Sequence, residues 1–251
     1  MQPATAPIRI EVSSAEPERQ PALQALVDEI RREADAFVFL SGGAWGMTPA
    51  QEAQLIPMLD ALGMVAKEWR IAVGDGGTKA GMMRAAGRVR SATGDKFLLV
   101  GVAPADKVTP AGSTPVDPNH SHIIAVRSAD ASASSWQSAT ATMYWVFGRL
   151  AAGRPSITVI ANGGDVTLDE IEANVHANRR MILIEGSGRA ADALVALLRG
   201  TSRADEGVDR LRTAAEARRL GRRPDLYCVV PLSAGAAGLR DAILKELENC
   251  N

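Results

Sequence analysis

Short apolar runs in the sequence are followed by turns of small residues, and these turns are where the chain could bind an anion. Glycine lets the main chain approach a ligand closely, and the free N–H groups of a following helix attract negative charge. The turns therefore predict a site for a phosphate-bearing ligand, although glycine also serves simply to make tight turns. The glycines in question are Gly42, Gly43, Gly74, Gly76, Gly77, Gly163, Gly164, Gly186, Gly188 and Gly235.

The turn at 185–189 combines main-chain amides with charged side chains. The N–H groups of residues 186–188 could hold a phosphate while Arg189 adds a fixed positive charge. Glu185 could then accept hydrogen bonds from ribose hydroxyls. The alternative is purely structural, with Ser187 capping a helix and Arg189 paired with Asp192. We expect the first interpretation.

Two further loops offer side chains to the same ligand. Thr78 and Lys79 either begin a helix or direct a hydroxyl and an ammonium group towards an anion. Trp45 is a candidate for stacking on a base. By contrast, one aromatic and aliphatic set recurs at helical spacing, and we expect it to form core: Trp136, Met143, Tyr144, Phe147 and Leu150.

Residues 117–122 form the most polar of the segments that lead into a predicted strand. Asp117, His120 and His122 could provide three metal ligands, because residues two apart lie on one face of an extended chain. That spacing is weak evidence, so we expect no metal. We expect instead that Asn119 and His120 bond to loop backbone or that an imidazole donates to the ligand.

The elements that must position these residues alternate along the chain. Apolar runs too short for buried helices predict strands, and helical segments separate them, which indicates an α/β fold with a mostly parallel, doubly wound sheet of about seven strands and helices on both faces. The carboxyl ends of such strands share one edge, where ligands bind. Residues 1–20 predict an arm with one edge strand, and 21–251 a single domain. The runs are 37–40, 71–73, 97–102, 123–126, 157–161, 181–184 and 227–232.

Composition and missing motifs exclude several classes of protein. The 251 residues carry 28 Lys and Arg against 29 Asp and Glu, which argues against a nucleic-acid partner. Two cysteines make no disulfide framework, and no apolar run is long enough for a membrane span, so we expect a cytoplasmic protein with no membrane partner. The P-loop, G-x-G-x-x-G and G-x-S-x-G patterns are absent.

Five segments occur in an order similar to that in the cytosolic N-terminal region of TRPM cation channels. They are GDGGTKAGMM at 74–83, GVAP at 101–104, VDPNHSH at 116–122, VIANGG at 159–164 and IEGSGRAAD at 184–192. That region belongs to the SLOG superfamily, which includes the LOG enzymes, and the chain resembles its prokaryotic LSDAT type. The resemblance implies a Rossmann-like fold and a nucleotide-derived ligand such as ADP-ribose, NAD or an AMP-like molecule.

The resemblance leaves two functions open. One is a binding or sensor domain for the nucleotide, and the other is a LOG-like hydrolase in which Glu185 or Asp117 acts as the general acid or base. LOG enzymes use a glutamate shortly after their glycine loop, whereas residues 76–83 contain no acid. The sequence therefore favours binding without a further cofactor, and LOG relatives imply a possible homodimer.

Overall fold

In the computed structural model, which describes residues 6–43, 47–108, 114–130, 134–201 and 205–250, eight parallel strands form one sheet. Their spatial order is β1-β5-β4-β3-β2-β6-β7-β8. The strands are β1 (Ile8–Ser13), β2 (Ala36–Gly42), β3 (Ile71–Asp75), β4 (Leu98–Pro104), β5 (His122–Arg127), β6 (Ser156–Ala161), β7 (Arg180–Glu185) and β8 (Tyr227–Pro231).

Helices cover both faces of this sheet, and each face has its own apolar core. On one face α2, α3, α4 and α9 pack on β2, β3, β6 and β7; on the other, α1 and α5 to α8 pack on the opposite side of the strands. The helices are α1 (Pro21–Glu33), α2 (Pro49–Met58), α3 (Ala61–Val65), α4 (Gly81–Ala92), α5 (Ser135–Ala151), α6 (Asp165–His176), α7 (Arg189–Arg199), α8 (Glu206–Ala217) and α9 (Gly235–Glu248).

The structure confirms the α/β architecture and all seven apolar runs as strands. The eighth strand is β1, in which Val12 is buried and the other residues are more open, as the alternating sequence predicts. It pairs with β5, with Ile8 opposite His122. No helix in the described part of the chain combines the length and the apolar character needed to cross a bilayer.

The strand order reverses next to β2. From β2 the chain proceeds outwards through β3, β4 and β5, then returns to pair β6 with the other side of β2 and continues to β7 and β8. Loops that follow β2 and β6 leave the sheet at its carboxyl edge on either side of this reversal. In open α/β sheets that crevice is where ligands bind.

Candidate functional site

A cavity of about 620 Å³ opens at this crevice. Its size lies within the range of small-molecule sites, roughly 300–1,000 Å³. The loops after β2, β3 and β6 and the starts of α4, α5, α6 and α7 surround it. Seven of the residues predicted to bind a ligand line it: Gly42, Gly43, Gly76, Thr78, Gly163, Gly164 and Arg189.

One end of the cavity is suited to an anion. The N-cap residue of α6 is Gly164, which has no side chain to bond the first amides of the helix. Arg189 lies beside it, since a Cβ placed at residue 164 would be 2.8 Å from the Arg189 Nη2 atom. A helix N-terminus and a guanidinium group both favour negative charge. Among the described residues from 163 to 167 that line the cavity, Asp165 is the only acid. Its carboxylate accepts two hydrogen bonds from the Arg210 guanidinium group, at 2.9 and 3.0 Å.

The loops after β6 and β7 are bonded to each other, and this bonding fixes the position of Arg189. The backbone N–H of Asn162 donates to the Ser187 hydroxyl at 2.8 Å, and the Asn162 amide group donates to the Ser187 carbonyl at 2.9 Å. Further along, the Ala191 N–H donates to the Asn162 carbonyl at 3.0 Å. Ser187 is fully buried in this contact. Its hydroxyl therefore joins two loops and is not presented to the cavity.

Part of the cavity lining is apolar and rich in methionine. It consists of Met82 and Met83 from α4, Met143 and Trp136 from α5, and Val102 of β4. Met143 is buried in the core as predicted, and it also lines the cavity. The expectation that Trp136 is a core residue is wrong, because its side chain stands at the cavity rim with 41% of its surface exposed. Thioether and indole groups of this kind pack well on flat aromatic rings.

The glycine loop after β3 is supported from behind by a buried ionic cluster. The Nε2 atom of His120 lies 2.8 Å from Oδ1 of Asp75, and its Nδ1 atom lies 3.7 Å from Oδ1 of Asp117. Burial disfavours the charged imidazole, but the two carboxylates outweigh it and raise the pKa of His120 to about 9. Asp75 also accepts the Gly77 N–H at 2.7 Å. These residues shape the loop and do not reach the cavity.

The same loop needs glycine because it passes close to its neighbours. A Cβ on Gly77, whose φ is +69°, would lie 3.0 Å from the Cα of Gly101 in β4. A Cβ on Gly74 would lie 2.8 Å from the Phe39 ring and 2.6 Å from the Phe147 ring. Both glycines therefore serve packing, and neither lines the cavity.

The remaining predicted residues lie outside the cavity lining. Lys79 is exposed, and its N–H bonds to the Pro115 carbonyl at 2.8 Å. The Asn119 carbonyl accepts from Arg90 at 2.9 Å. Glu185 is paired with Arg199, at 3.0 Å to Nη2. The full set outside the lining is Gly74, Gly77, Lys79, Asn119, His120, Glu185, Gly186, Ser187 and Gly188. Trp45 lies outside the described residues.

A residue that sequence reasoning missed, Glu170, also lines the cavity. It lies on α6, and its carboxyl group accepts a hydrogen bond from the Ser41 hydroxyl at the end of β2. Burial raises the pKa of Glu170 to about 7, and the nearby charge of Asp169 also raises it. The hydrogen bonds from Ser41 and from the Gly42 N–H lower this pKa, but their effect is weaker than that of burial. The sequence holds one signal for it, since Glu170 falls on the buried face of α6 with Thr167 and Asn174.

Behind Glu170, a buried polar network continues into the protein. The Asn174 side-chain carbonyl accepts from Thr158 at 2.7 Å and from Arg179 at 2.9 Å, and the Asn174 amide donates to the Glu170 carbonyl at 2.8 Å. Burial lowers the pKa of Arg179 to about 10, and its guanidinium carbon lies 4.6 Å from the centre of the Phe39 ring. Burial likewise raises the pKa of Tyr144, which neighbours Glu170.

Comparison with known families gives this fold and cavity a context. The family model described as "SLOG in TRPM, prokaryote" matches residues 35–235. The chain belongs to this family. A search of curated proteins found no match to this SLOG chain. The matched region begins at β2 and ends at the first residue of α9, so it includes every loop that lines the cavity and leaves β1 and α1 outside.

Proposed function

We propose that this SLOG chain binds a nucleotide-derived ligand in the cavity, with a phosphate group at the start of α6. The observation that carries the proposal is the placement of Arg189 against Gly164, at a helix end without a side-chain cap. Main-chain amides, the helix dipole and a guanidinium group converge there. Together they suit phosphate oxygens better than any neutral ligand group.

The apolar part of the lining supports a ligand with a flat apolar part. The Met82, Met83, Met143 and Trp136 side chains offer polarisable surface for a purine ring, and Trp136 is partly exposed. A ligand with an anionic end and an aromatic end is a nucleotide. ADP-ribose is the specific ligand we propose, since its diphosphate and two sugars would use both ends of the cavity.

The backbone at Arg189 supports the same assignment. Its φ is +48°, a left-handed conformation that a long side chain seldom adopts. Such conformations cost of order 1 kcal/mol and are concentrated at functional sites. The residue in this conformation is the one whose guanidinium group lies beside the start of α6.

Calorimetric titration of the purified protein with ADP-ribose, NAD and AMP tests the proposal, with the recovered ligand analysed for cleavage. We expect saturable heat and intact ligand. Arg189→Ala should weaken binding by about 1.5–3 kcal/mol, the value of a hydrogen bond to a charged group. Arg199→Ala, on the exposed end of the same helix, is the matched control and should bind normally.

Two outcomes would overturn this proposal. Absence of heat with all three ligands would remove nucleotide binding, and equal affinity in Arg189→Ala would move the phosphate elsewhere. Released base or ribose phosphate would show that the site is hydrolytic, in the manner of the LOG enzymes.

A further inference from the structure

The strand β1 lies at one end of the sheet, and its outer side has no neighbouring strand in the described part of the chain. On its inner side, the Ile8 N–H donates to the Ser121 carbonyl at 2.9 Å. The main-chain groups of successive strand residues point to alternate sides, so the even-numbered residues of β1 bond to β5. The N–H and carbonyl groups of Arg9 and Glu11 therefore face outwards.

This outer edge is closed at both of its ends. Ser13 also faces outwards, but the Gln20 side-chain carbonyl accepts its N–H at 2.9 Å and the Gln20 amide donates to its carbonyl at 2.8 Å. At the other end, Pro7 has no N–H to donate. The stretch of edge between these ends consists of the outward groups of Arg9 and Glu11.

The order of these two residues makes the edge complementary to a second copy of itself. When two such edges meet in antiparallel directions, their outward-facing residues lie opposite one another. The register centred on Ile10 places Arg9 opposite Glu11 of the second copy on both sides of the twofold axis, and each pair can exchange two main-chain hydrogen bonds. The neighbouring register in either direction places Arg9 opposite Arg9 or Glu11 opposite Glu11, and like charges directly opposite are unfavourable. Charge therefore selects a single register.

The two charged side chains are accessible to a second copy. Arg9 donates to the Val108 carbonyl at 3.2 Å, and it forms no ion pair with any of the described residues. Glu11 lies 2.8 Å from Arg127, and 48% of its side chain remains exposed. Pairing of two copies would give Arg9 a carboxylate partner without breaking the contact between Glu11 and Arg127.

The apolar side chains of β1 fit the same register. Ile8 is 50% exposed although it is large and apolar, and Ile10 is half-buried. Antiparallel pairing would place Ile8 opposite Val12 of the second copy and would bring the two Ile10 side chains together. Pro7 would lie opposite Ser13, so the two positions without free main-chain groups would face each other. Pairing would thus cover apolar surface that the monomer leaves open.

We propose that the outer edge of β1 is an interface at which two copies of this chain pair in antiparallel directions and join their sheets. β1 lies outside the region that matches the family, and β4 and β5 separate it from β3. Pairing there leaves the cavity open and is independent of the proposed function. Two short strands bury less than the roughly 1,200 Å² of a standard stable interface, so we expect a dimer that dissociates on dilution.

Sedimentation velocity over a dilution series tests the proposal, with a dimer expected for the wild type at high concentration and a monomer on dilution. Glu11→Pro removes an outward N–H and leaves the bonds to β5 in place. Proline is tolerated in edge strands where the N–H faces solvent, so this variant should fold and remain a monomer throughout.

Charge reversal tests the register. Arg9→Glu and Glu11→Arg each place like charges opposite one another in both symmetry-related pairs, so each variant alone should dimerise roughly thirtyfold more weakly than the wild type. A mixture of the two variants should dimerise again, because the acidic edge of one then faces the basic edge of the other. Glu248→Arg, at the exposed end of α9, is the matched control and should dimerise as the wild type does.

Several results would overturn the proposal. They are a wild-type chain that is monomeric at every concentration, a dimer that persists undiminished in Glu11→Pro, and a mixture of the folded charge variants that stays monomeric. Circular dichroism checks the fold, and an unfolded Glu11→Pro would contradict the outward direction of the N–H at residue 11. ADP-ribose affinity should be the same in all these variants, so the outcome leaves the proposed function to its own test.

Discussion

The buried cluster of His120 with Asp75 and Asp117 makes the stability of the protein depend on pH. His120 and Asp75 are completely buried, and the His120 Nε2 atom is 2.8 Å from Asp75 Oδ1. In the folded protein the pKa of His120 is raised from 6.5 to about 9. Each pKa unit is worth about 1.4 kcal/mol, so the protonated imidazole contributes roughly 3 kcal/mol to the free energy of unfolding.

The sign follows from which state binds the proton more tightly. Folded His120 has the higher pKa, so its contribution is complete below about pH 6.5 and is lost as the pH rises through about 9. Urea denaturation at a series of pH values should therefore show the free energy of unfolding falling by roughly 3 kcal/mol across this window. The loop at 75–78, which Asp75 anchors, should loosen over the same range.

Two variants isolate the effect. His120→Gln keeps a donor for Asp75 but carries no charge, so it should be about 3 kcal/mol less stable than the wild type near pH 6 and show no fall towards pH 9. His176→Gln, at the exposed end of α6, should follow the wild-type curve. Two results would refute the assignment of a charged, buried imidazole. One is a wild-type free energy of unfolding that does not change between about pH 7 and pH 9, and the other is the same dependence on pH in His120→Gln as in the wild type.

Two further predictions concern stability. Since burial raises the pKa of Glu170 from 4.5 to about 7, the folded protein holds this proton more tightly, and the free energy of unfolding should fall by roughly 3 kcal/mol as the pH rises through that window. Urea denaturation of Glu170→Gln should lack this fall; a fall of wild-type size would contradict it. Gly74→Ala should cost about 1–3 kcal/mol because its Cβ meets the Phe39 and Phe147 rings, without changing ligand affinity. Gly148→Ala, on the exposed side of α5 with open space around it, is its control and should not destabilise.

The strands could be predicted because strands that are buried on both faces consist almost entirely of apolar residues. Runs such as 157–161 and 181–184 are apolar on both faces, which only a covered parallel sheet satisfies. The order of the strands was not predictable in the same way. Nothing local in Ile8–Ser13 shows that it pairs with β5 and not with β2, the next strand in sequence, because that choice depends on contacts more than a hundred residues apart.

The predicted site residues separate into two groups for a physical reason. Glycines at strand ends must lie at the carboxyl edge, so Gly42, Gly163 and Gly76 reach the cavity as expected. Side chains in the same motifs can point either way. His120 faces inward and supports the glycine loop, and Glu185 turns to Arg199 on the surface. Motif membership indicates that a residue matters to the site, but it does not distinguish contact with a ligand from support of the loop.

Glu170 shows the opposite case, a cavity residue that lies outside every segment from which the site was predicted. Its burial is unfavourable for an acid, and Arg189, the first residue of α7, adopts an unfavourable φ. Both residues line the same cavity, Arg189 beside the N-cap of α6 and Glu170 in the second turn of that helix. Packing alone does not explain these two unfavourable features. A glutamine or a leucine at position 170 and a glycine at position 189 would give a more stable protein. Their common feature is the cavity between them. We therefore expect a ligand that contacts both residues at once.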